Sequence, residues 1–300
     1  MTIICFYIHI GGWKKPTGII EGEVMIKKFT DYKEVEEFIN SYDHQGIYSD
    51  CLCKTVSKSQ KRILKALKDK TNNNIMVTEG SDIKGVFSFL VIEDEGYVEM
   101  LIGLCHNKGA YEEVFEYLVH KYEGYKIYFI VNPKNNLLIN KLTEVHGEFF
   151  IEQQIMQLEN IGNHNFNIDV IPYDGRYFEE YAAIHLTDLY WTADKVVAAP
   201  EKFQVFLAMK NHHVVGYIDM TCSGEVNEPE DLFVKEEYRN NGYGKALLNA
   251  AIKSNYPKRM ILHVDVTNKP AIHVYEEMGF TKVDNGNSIT VCWNINKEEK

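Results

Sequence analysis

The segment RNNGYGKA, residues 239 to 246, places Arg239 and Lys245 on either side of two glycines, Gly242 and Gly244. Backbone N–H groups at a turn, joined by the free N–H groups of a following helix's first turn, converge on one concavity and can bind an anion there. Glycine at 242 and 244 removes the Cβ atoms that would hold a phosphate oxygen off the backbone. The segment lacks the G-K-[ST] ending that sets a hydroxyl on magnesium. It also lacks the spacing and the early βαβ position of the dinucleotide fingerprint. An ordinary strand-to-helix turn can carry the same residues, so the loop alone leaves cradle and plain turn both open.

The elements around the loop follow from periodicity. DLFV reads as a buried strand ending at Val234, and a helix runs from Gly242 to about Ser254. Upstream, FNIDVIP is a short strand, and Asp174 is placed to cap a helix over RYFEEYAAIHL whose apolar residues are Phe178, Tyr181, Ile184 and Leu186. QVFLAM and VVGYIDMTC flank the turn Lys210-Asn211-His212 as a hairpin, which makes His212 and His213 turn residues. Downstream come a strand RMILHVDV, a helix from Asn268 to Met278 and a closing strand ITVCWNI. His263 and His273 fit a core and a cleft equally well.

This order occurs twice. Gly109 and Gly242 each precede a helical pattern and lie 133 residues apart, the same distance that separates Asn135 from Asn268. MIKKFTDYKEVEEFI aligns with IDVIPYDGRYFEEYA at an offset of 143. A shared order of elements at constant offset implies two copies of one fold. At the offset of 133, Arg239 falls on His106, Gly244 on Tyr111 and Tyr275 on Leu142, so the first copy lacks the glycine loop. We divide the chain into residues 1–24, an extension without periodicity, and domains at 25–160 and 165–300. Met25 begins the first repeat, either as the true initiator or behind a genuine extension.

Composition narrows the classes. The chain has 300 residues, 45% hydrophobic and 25% charged, enough for two ordinary cores. The apolar run Ile3 to Ile10 is too short for a span and lacks the flanks of a signal peptide, so we expect a cytoplasmic protein with no membrane partner. Cysteines at 5, 51, 53, 105, 222 and 292 have neither zinc-site spacing nor disulfide density, and no metal is expected. A net charge of −11 without a Lys/Arg cluster argues against nucleic acid and is compatible with a cationic small molecule.

The pattern V-x-x-x-x-R-x-x-G-x-G-x-x-L, filled by Val234, Arg239, Gly242, Gly244 and Leu247, resembles the acetyl-CoA loop of the GCN5-related N-acetyltransferases (GNAT). VDVTNKPAIHVYEEMGF is similar to that family's strand-helix segment through Asn268, Ala271, Tyr275, Gly279 and Phe280. The resemblance covers about residues 165 to 300. It implies an α/β (α+β) fold of two tandem GNAT-like domains, the first degenerate. Each would be a mixed, mostly antiparallel sheet with splayed central parallel strands flanked by helices.

The resemblance further implies transfer of acetyl from acetyl-CoA to a primary amine of a small molecule or peptide, by direct attack and without a metal. It assigns the backbone of Leu232, Phe233 and Val234 to pantetheine, and Arg239, Asn240, Asn241, Gly242, Tyr243, Gly244 and Lys245 to pyrophosphate. Asn268 would touch the cofactor while capping its helix, and Tyr275 would protonate the departing thiolate. An amine attacks only when neutral, and an alkylammonium of pKa near 10 is neutral about one time in a thousand at pH 7. Glu228 and Glu230, alternating toward one side of an extended strand, are the candidate bases, though they also belong to an acidic run that fits a solvated face. Asp188, Tyr190 and Trp191 are where relatives build the acceptor wall. The same residues are compatible with another acyl-CoA, or with a CoA-binding sensor without turnover.

Overall fold

Residues 24–162, 164–185 and 191–295 are described by the structure, a computed structural model of the chain. Nearly all of the extension, and Leu186, Asp188 and Tyr190, lie outside these residues. The first half runs β1 (Val24–Lys28), α1 (Glu36–Ser41), α2 (Val56–Lys68), β2 (Asn73–Glu79), β3 (Asp82–Ile92), β4 (Tyr97–Cys105), α3 (Lys108–Lys121), β5 (Lys126–Val131), α4 (Asn136–Glu144), β6 (Glu148–Phe149) and β7 (Gln153–Leu158). The second half contains β8 (Asp169–Pro172), α5 (Phe178–Ala182), α6 (Ala193–Val197), β9 (Phe203–Lys210), β10 (His213–Thr221), β11 (Val226–Asn227), β12 (Pro229–Val234), α7 (Tyr243–Asn255), β13 (Arg259–Asp265), α8 (Lys269–Glu277), β14 (Phe280–Lys282) and β15 (Ile289–Asn294).

The duplication is visible in local chemistry. Asp31 follows β1 and accepts from the Lys33 N–H, and Asp174 follows β8 and accepts from the Arg176 N–H, both at 3.0 Å. Each opens a 3-10 turn ahead of a helix. The helix expected from Arg176 therefore begins as a 3-10 turn at Gly175–Tyr177, tightened by the Asp174 side chain, which also holds the Arg176 guanidinium. Asn211 and His212 both have positive φ, the left-handed pair that closes a two-residue hairpin between β9 and β10.

One sheet has the strand order β1-β2-β3-β4-β5-β15-β6, and the second half contributes β8-β9-β10-β12 and β11-β13-β7-β14. The last strand, β15, lies antiparallel between β5 and β6, while β7 lies antiparallel between β13 and β14. Each half thus closes its sheet with a strand from the other. Val291, Trp293 and Ile295 belong to the first half's core, where Trp293 stacks on Phe115 with ring centroids 5.1 Å apart. Met156 of β7 belongs to the second half's core. A boundary near residue 160 divides the sequence, but the strand pairing crosses it.

Among the described residues, parallel pairing is confined to two short stretches, Tyr97–Glu99 against Lys126–Tyr128 and Val226–Asn227 against Arg259–Met260. Beyond each stretch the strands separate. A bulge accompanies the separation in both halves: the β3/β4 register shifts at Leu101 and the β10/β12 register shifts at Glu230. An extra residue bends its strand and strengthens the local twist, which carries β4 from β5 and β12 from β13. Among the described residues no helix is long and apolar enough to cross a membrane. No cluster of three or more His, Cys, Asp or Glu side chains placed to hold a metal occurs among them either.

Candidate functional site

Helix α7 begins on Gly242, whose φ of 86° is a left-handed value that glycine adopts without a Cβ penalty. Among the described residues no side chain caps this helix. The first N–H of the region to find a protein acceptor is that of Ala246, bonded to Gly242 C=O at 3.0 Å. The N–H groups of residues 240 to 245 make no hydrogen bond within the described residues. A Cβ built on Gly244 would meet only Val234 Cγ2, at 4.0 Å, so neither packing nor backbone angle requires glycine there. What the glycine leaves is open space above a row of unpaired donors.

That row meets the open edge of β12. Lys235 N–H donates to Val215 C=O at 2.9 Å, and the alternation of an antiparallel ladder turns the N–H and C=O of Phe233 toward β10 as well. Leu232 and Val234 turn theirs to the open side. The expectation that all three residues offer backbone groups is corrected for Phe233, whose groups belong to the ladder. Its ring stacks on Tyr217 at 6.0 Å and lies 5.7 Å beneath the Arg239 guanidinium. Arg239 Nε donates to Val234 C=O at 3.0 Å, which fixes it at the mouth of the cleft. Asn240 takes a positive φ, and Asn241 Nδ2 donates to Arg239 C=O at 2.9 Å, so both shape the turn. Tyr243 contributes its backbone alone, because its ring is buried against Tyr238. Lys245 forms an ion pair with Glu277 of α8 at 2.7 Å.

The first half shows the same place closed. Helix α3 starts on Asn107, two residues ahead of the expected Gly109, and Asn107 Oδ1 accepts from the Ala110 N–H at 2.9 Å. His106 directly follows β4, whereas Arg239 stands five residues beyond β12, so the expected match of Arg239 to His106 does not hold. The turn between strand and helix has two residues, 106–107, in the first half and eight, 235–242, in the second, which accounts for it. Along the helices the offset of 133 survives, pairing buried Ala110, Val114, Phe115 and Leu118 with Tyr243, Leu247, Leu248 and Ala251. Tyr111, at the place of Gly244, is buried, and its hydroxyl donates to Cys105 C=O at 3.3 Å. The chain also fills its own splay: Gly103 N–H donates to Asp50 Oδ2 at 2.8 Å, and Cys51 Sγ lies 3.3 Å from Ile130 C=O across the gap.

Residues 201–282, which hold the open cleft, match the family model of the acetyltransferase (GNAT) domain. The second half carries a GNAT domain. The whole chain shares its fold with a GCN5-related N-acetyltransferase from Sphaerobacter thermophilus, at 11% identity and TM-score 0.66, over 91% of this chain and 96% of that one. A tandem GNAT protein from the clavulanic acid biosynthesis pathway superposes at 10% identity and TM-score 0.59, over 92% and 100% of the two chains. A conserved protein of unknown function from Staphylococcus epidermidis follows at 14% identity and TM-score 0.54, over 70% and 91%. No curated protein matches this sequence. The tandem arrangement of mixed sheets flanked by helices is therefore the fold of the chain, and acyl transfer is the general chemistry of its GNAT domain.

Acyl-CoA chemistry fits what this GNAT domain presents: unpaired donors for a pyrophosphate, an open strand edge for an amide-bearing arm, and side chains beside the apex of the splay. Tyr275 projects from α8, a helix with no fully buried residue, and its ring centroid lies 6.1 Å from that of Phe280. Burial pushes its phenol above the ordinary tyrosine value, and the charge of Asp231 adds to the effect. Burial also raises the Glu228 carboxyl. It raises Glu230 too, helped by the charges of Glu228, Asp219 and Asp231. Simple alternation of Glu228 and Glu230 does not hold, because Glu230 is the extra residue of the bulge. Asn268 caps α8, its Oδ1 accepting from the Ala271 N–H at 3.2 Å. Trp191 packs on Phe203, ring centroids 4.8 Å apart.

Two features lay outside the sequence reading. Asp219 is fully buried, yet the Tyr181 hydroxyl donates to it at 2.8 Å and His185 Nε2 lies 2.8 Å away, which satisfies its oxygens. Tyr217 stacks on His185, with centroids 5.0 Å apart, and its hydroxyl donates to the Asp231 carboxylate. An acid inside the otherwise apolar run VVGYIDM was the available signal. The other feature is the pairing of His263, which the sequence left between core and cleft, with Glu228: its Nε2 lies 3.4 Å from Glu228 Oε2.

Proposed function

We propose that the second half transfers acetyl from acetyl-CoA to a primary amine of a small molecule or peptide, by direct attack on the thioester. One contrast carries the reading: the N–H groups of residues 240–245 stand unpaired over an open Gly244, while the first half fills the same place with Tyr111. In this reading Arg239, Lys245 and the backbone from Asn240 to Gly244 take the pyrophosphate. The backbone groups of Leu232 and the N–H of Val234 pair with the pantetheine amides, and Asn268 borders them. Acetyl-CoA supplies an activated carbonyl with a thiolate leaving group. Tyr275, kept protonated by its burial, gives that sulfur a proton, and this favours turnover over a sensor that only binds CoA. Glu228 and Glu230, beside the apex, favour a cationic acceptor. Cys222 Sγ is turned to Glu201 C=O at 3.7 Å, which suits direct attack better than an acyl-enzyme.

Two measurements test it. Calorimetry with acetyl-CoA should give saturable binding, and a panel of aminoglycoside, polyamine, amino-acid and peptide amines should release free thiol from acetyl-CoA. Absence of binding removes the reading altogether. Binding without thiol release from any amine leaves a CoA sensor, and faster release from propionyl-CoA would change the donor.

A further inference from the structure

Among the described residues, one pair of side chains bridges the two strands that diverge around the cleft. On β13, Met260, Leu262 and Val264 are buried against α7, so the alternation of a strand sends His263 to the opposite face. Across the gap, Asn227 is buried and bonded to Asn255 of α7, so Glu228, one residue on, also faces away from α7. His263 Nε2 and Glu228 Oε2 lie 3.4 Å apart, one residue beyond the last parallel pair on β11 and three beyond it on β13. This is the apex of the splay, next to the bulged Glu230. An arm laid from the α7 N-terminus along Val234 and Leu232 ends here.

We propose that His263, with its Nε2 turned to Glu228, is the group that takes the proton from the incoming ammonium. The assignment rests on the acetyl-transfer reading above. Burial lowers the imidazole's affinity for protons, which keeps it neutral near pH 7, and Glu228 stabilises the imidazolium once formed. Glu228 faces it at 3.4 Å, the charges of Glu230 and Asp231 act on one another beyond Glu228, Asp265 follows two residues on along β13, and β7 sets uncharged Ile155 directly opposite it. The step balances as follows. The ammonium loses one proton to Nδ1 of His263, and the freed lone pair forms the N–C bond at the thioester carbonyl. The C–S bond then breaks, the thiolate takes the Tyr275 proton, and the phenolate recovers a proton from the new amide nitrogen. The proton on His263 passes to solvent.

The test compares two small nucleophiles with the full-length chain and acetyl-CoA at neutral pH. Ethylenediamine is protonated there and needs a base, whereas hydroxylamine is already neutral. His263→Gln should cut thiol release with ethylenediamine by about a hundredfold, the usual size of a general-base effect. It should leave release with hydroxylamine and the affinity for acetyl-CoA within about twofold, and Glu228→Gln should show the same split at smaller size. Equal losses on both nucleophiles, or no loss on either, overturn the role of His263. A wild-type protein that binds acetyl-CoA yet acetylates neither nucleophile nor any amine of the panel above overturns the transfer reading together with it.

Discussion

Asn135 donates to the Tyr111 hydroxyl at 3.1 Å, and the two residues stand where the second half has Asn268 and Gly244. One copy has turned the cap of its last helix inward onto a ring that fills the slot. The other keeps the cap and leaves the slot open.

Gly244→Tyr should therefore reproduce the closed copy. Acetyl-CoA binding by calorimetry should disappear while the melting temperature changes little, because the added ring enters open space. The wild-type chain should bind one acetyl-CoA, with Asp50, Cys51 and Tyr111 occupying the second place. Two sites per chain would contradict the closure.

Lys245 is held by Glu277, which also lies 3.2 Å from His273 Nε2. A pyrophosphate would have to draw Lys245 away from that carboxylate and lie near its charge. Glu277→Gln should tighten acetyl-CoA roughly two- to fivefold, as expected for loss of an exposed pair, and Lys245→Ala should weaken it. Weaker binding by Glu277→Gln would mean that Glu277 helps hold the cofactor.

Tyr275→Phe should lower kcat by about two orders of magnitude with the acetyl-CoA dissociation constant unchanged. The phenol's value is raised, so the acid form persists past its ordinary range, and the alkaline fall of kcat should lie above pH 10, the ordinary tyrosine value. A fall centred below pH 10, or full activity in the variant, would assign Tyr275 to packing.

Asp219→Ala should cost about 3–5 kcal/mol, because Tyr181 and His185 would lose the buried carboxylate both of them face. Denaturant unfolding measures it, and a loss under about 1 kcal/mol would show that water replaces the carboxylate.

Ending the chain at Asn287 removes β15 and with it Trp293, whose burial on Phe115 is worth roughly 3–5 kcal/mol. Hydrogen exchange should then rise along β5 and β6 in the first half, far away in sequence. Protection confined to its wild-type pattern there would show that β15 is dispensable.

Local rules were legible in the sequence wherever neighbours in the chain settle the outcome. The Asn211-His212 turn, the Asp174 cap, the start of α7 on Gly242 and the duplication itself all follow from short-range chemistry. The exchange of β7 and β15 does not, because QQIMQL and ITVCWN alternate in a way that suits the closing position of either sheet. Nor could spacing place His263 beside Glu228, since strand period gives a face but not the width of a splay. Gly109 misled because Asn107, a better cap, lies two residues earlier and accepts the Ala110 N–H. Tyr217 reaching Asp231 depends on the diagonal across a bulged ladder, and a bulge leaves no sure mark in a strand pattern.

The reciprocal placement of β7 and β15 ties the two halves together topologically. A protease that cut between Glu159 and Ile168 would leave two fragments, each still holding a strand of the other's sheet, and no domain would drift free. For the same reason the half with the filled slot cannot be deleted cleanly: its removal would strip the second half's sheet of the strand between β13 and β14. The half whose slot is filled thus supplies a strand to the sheet beside the open one.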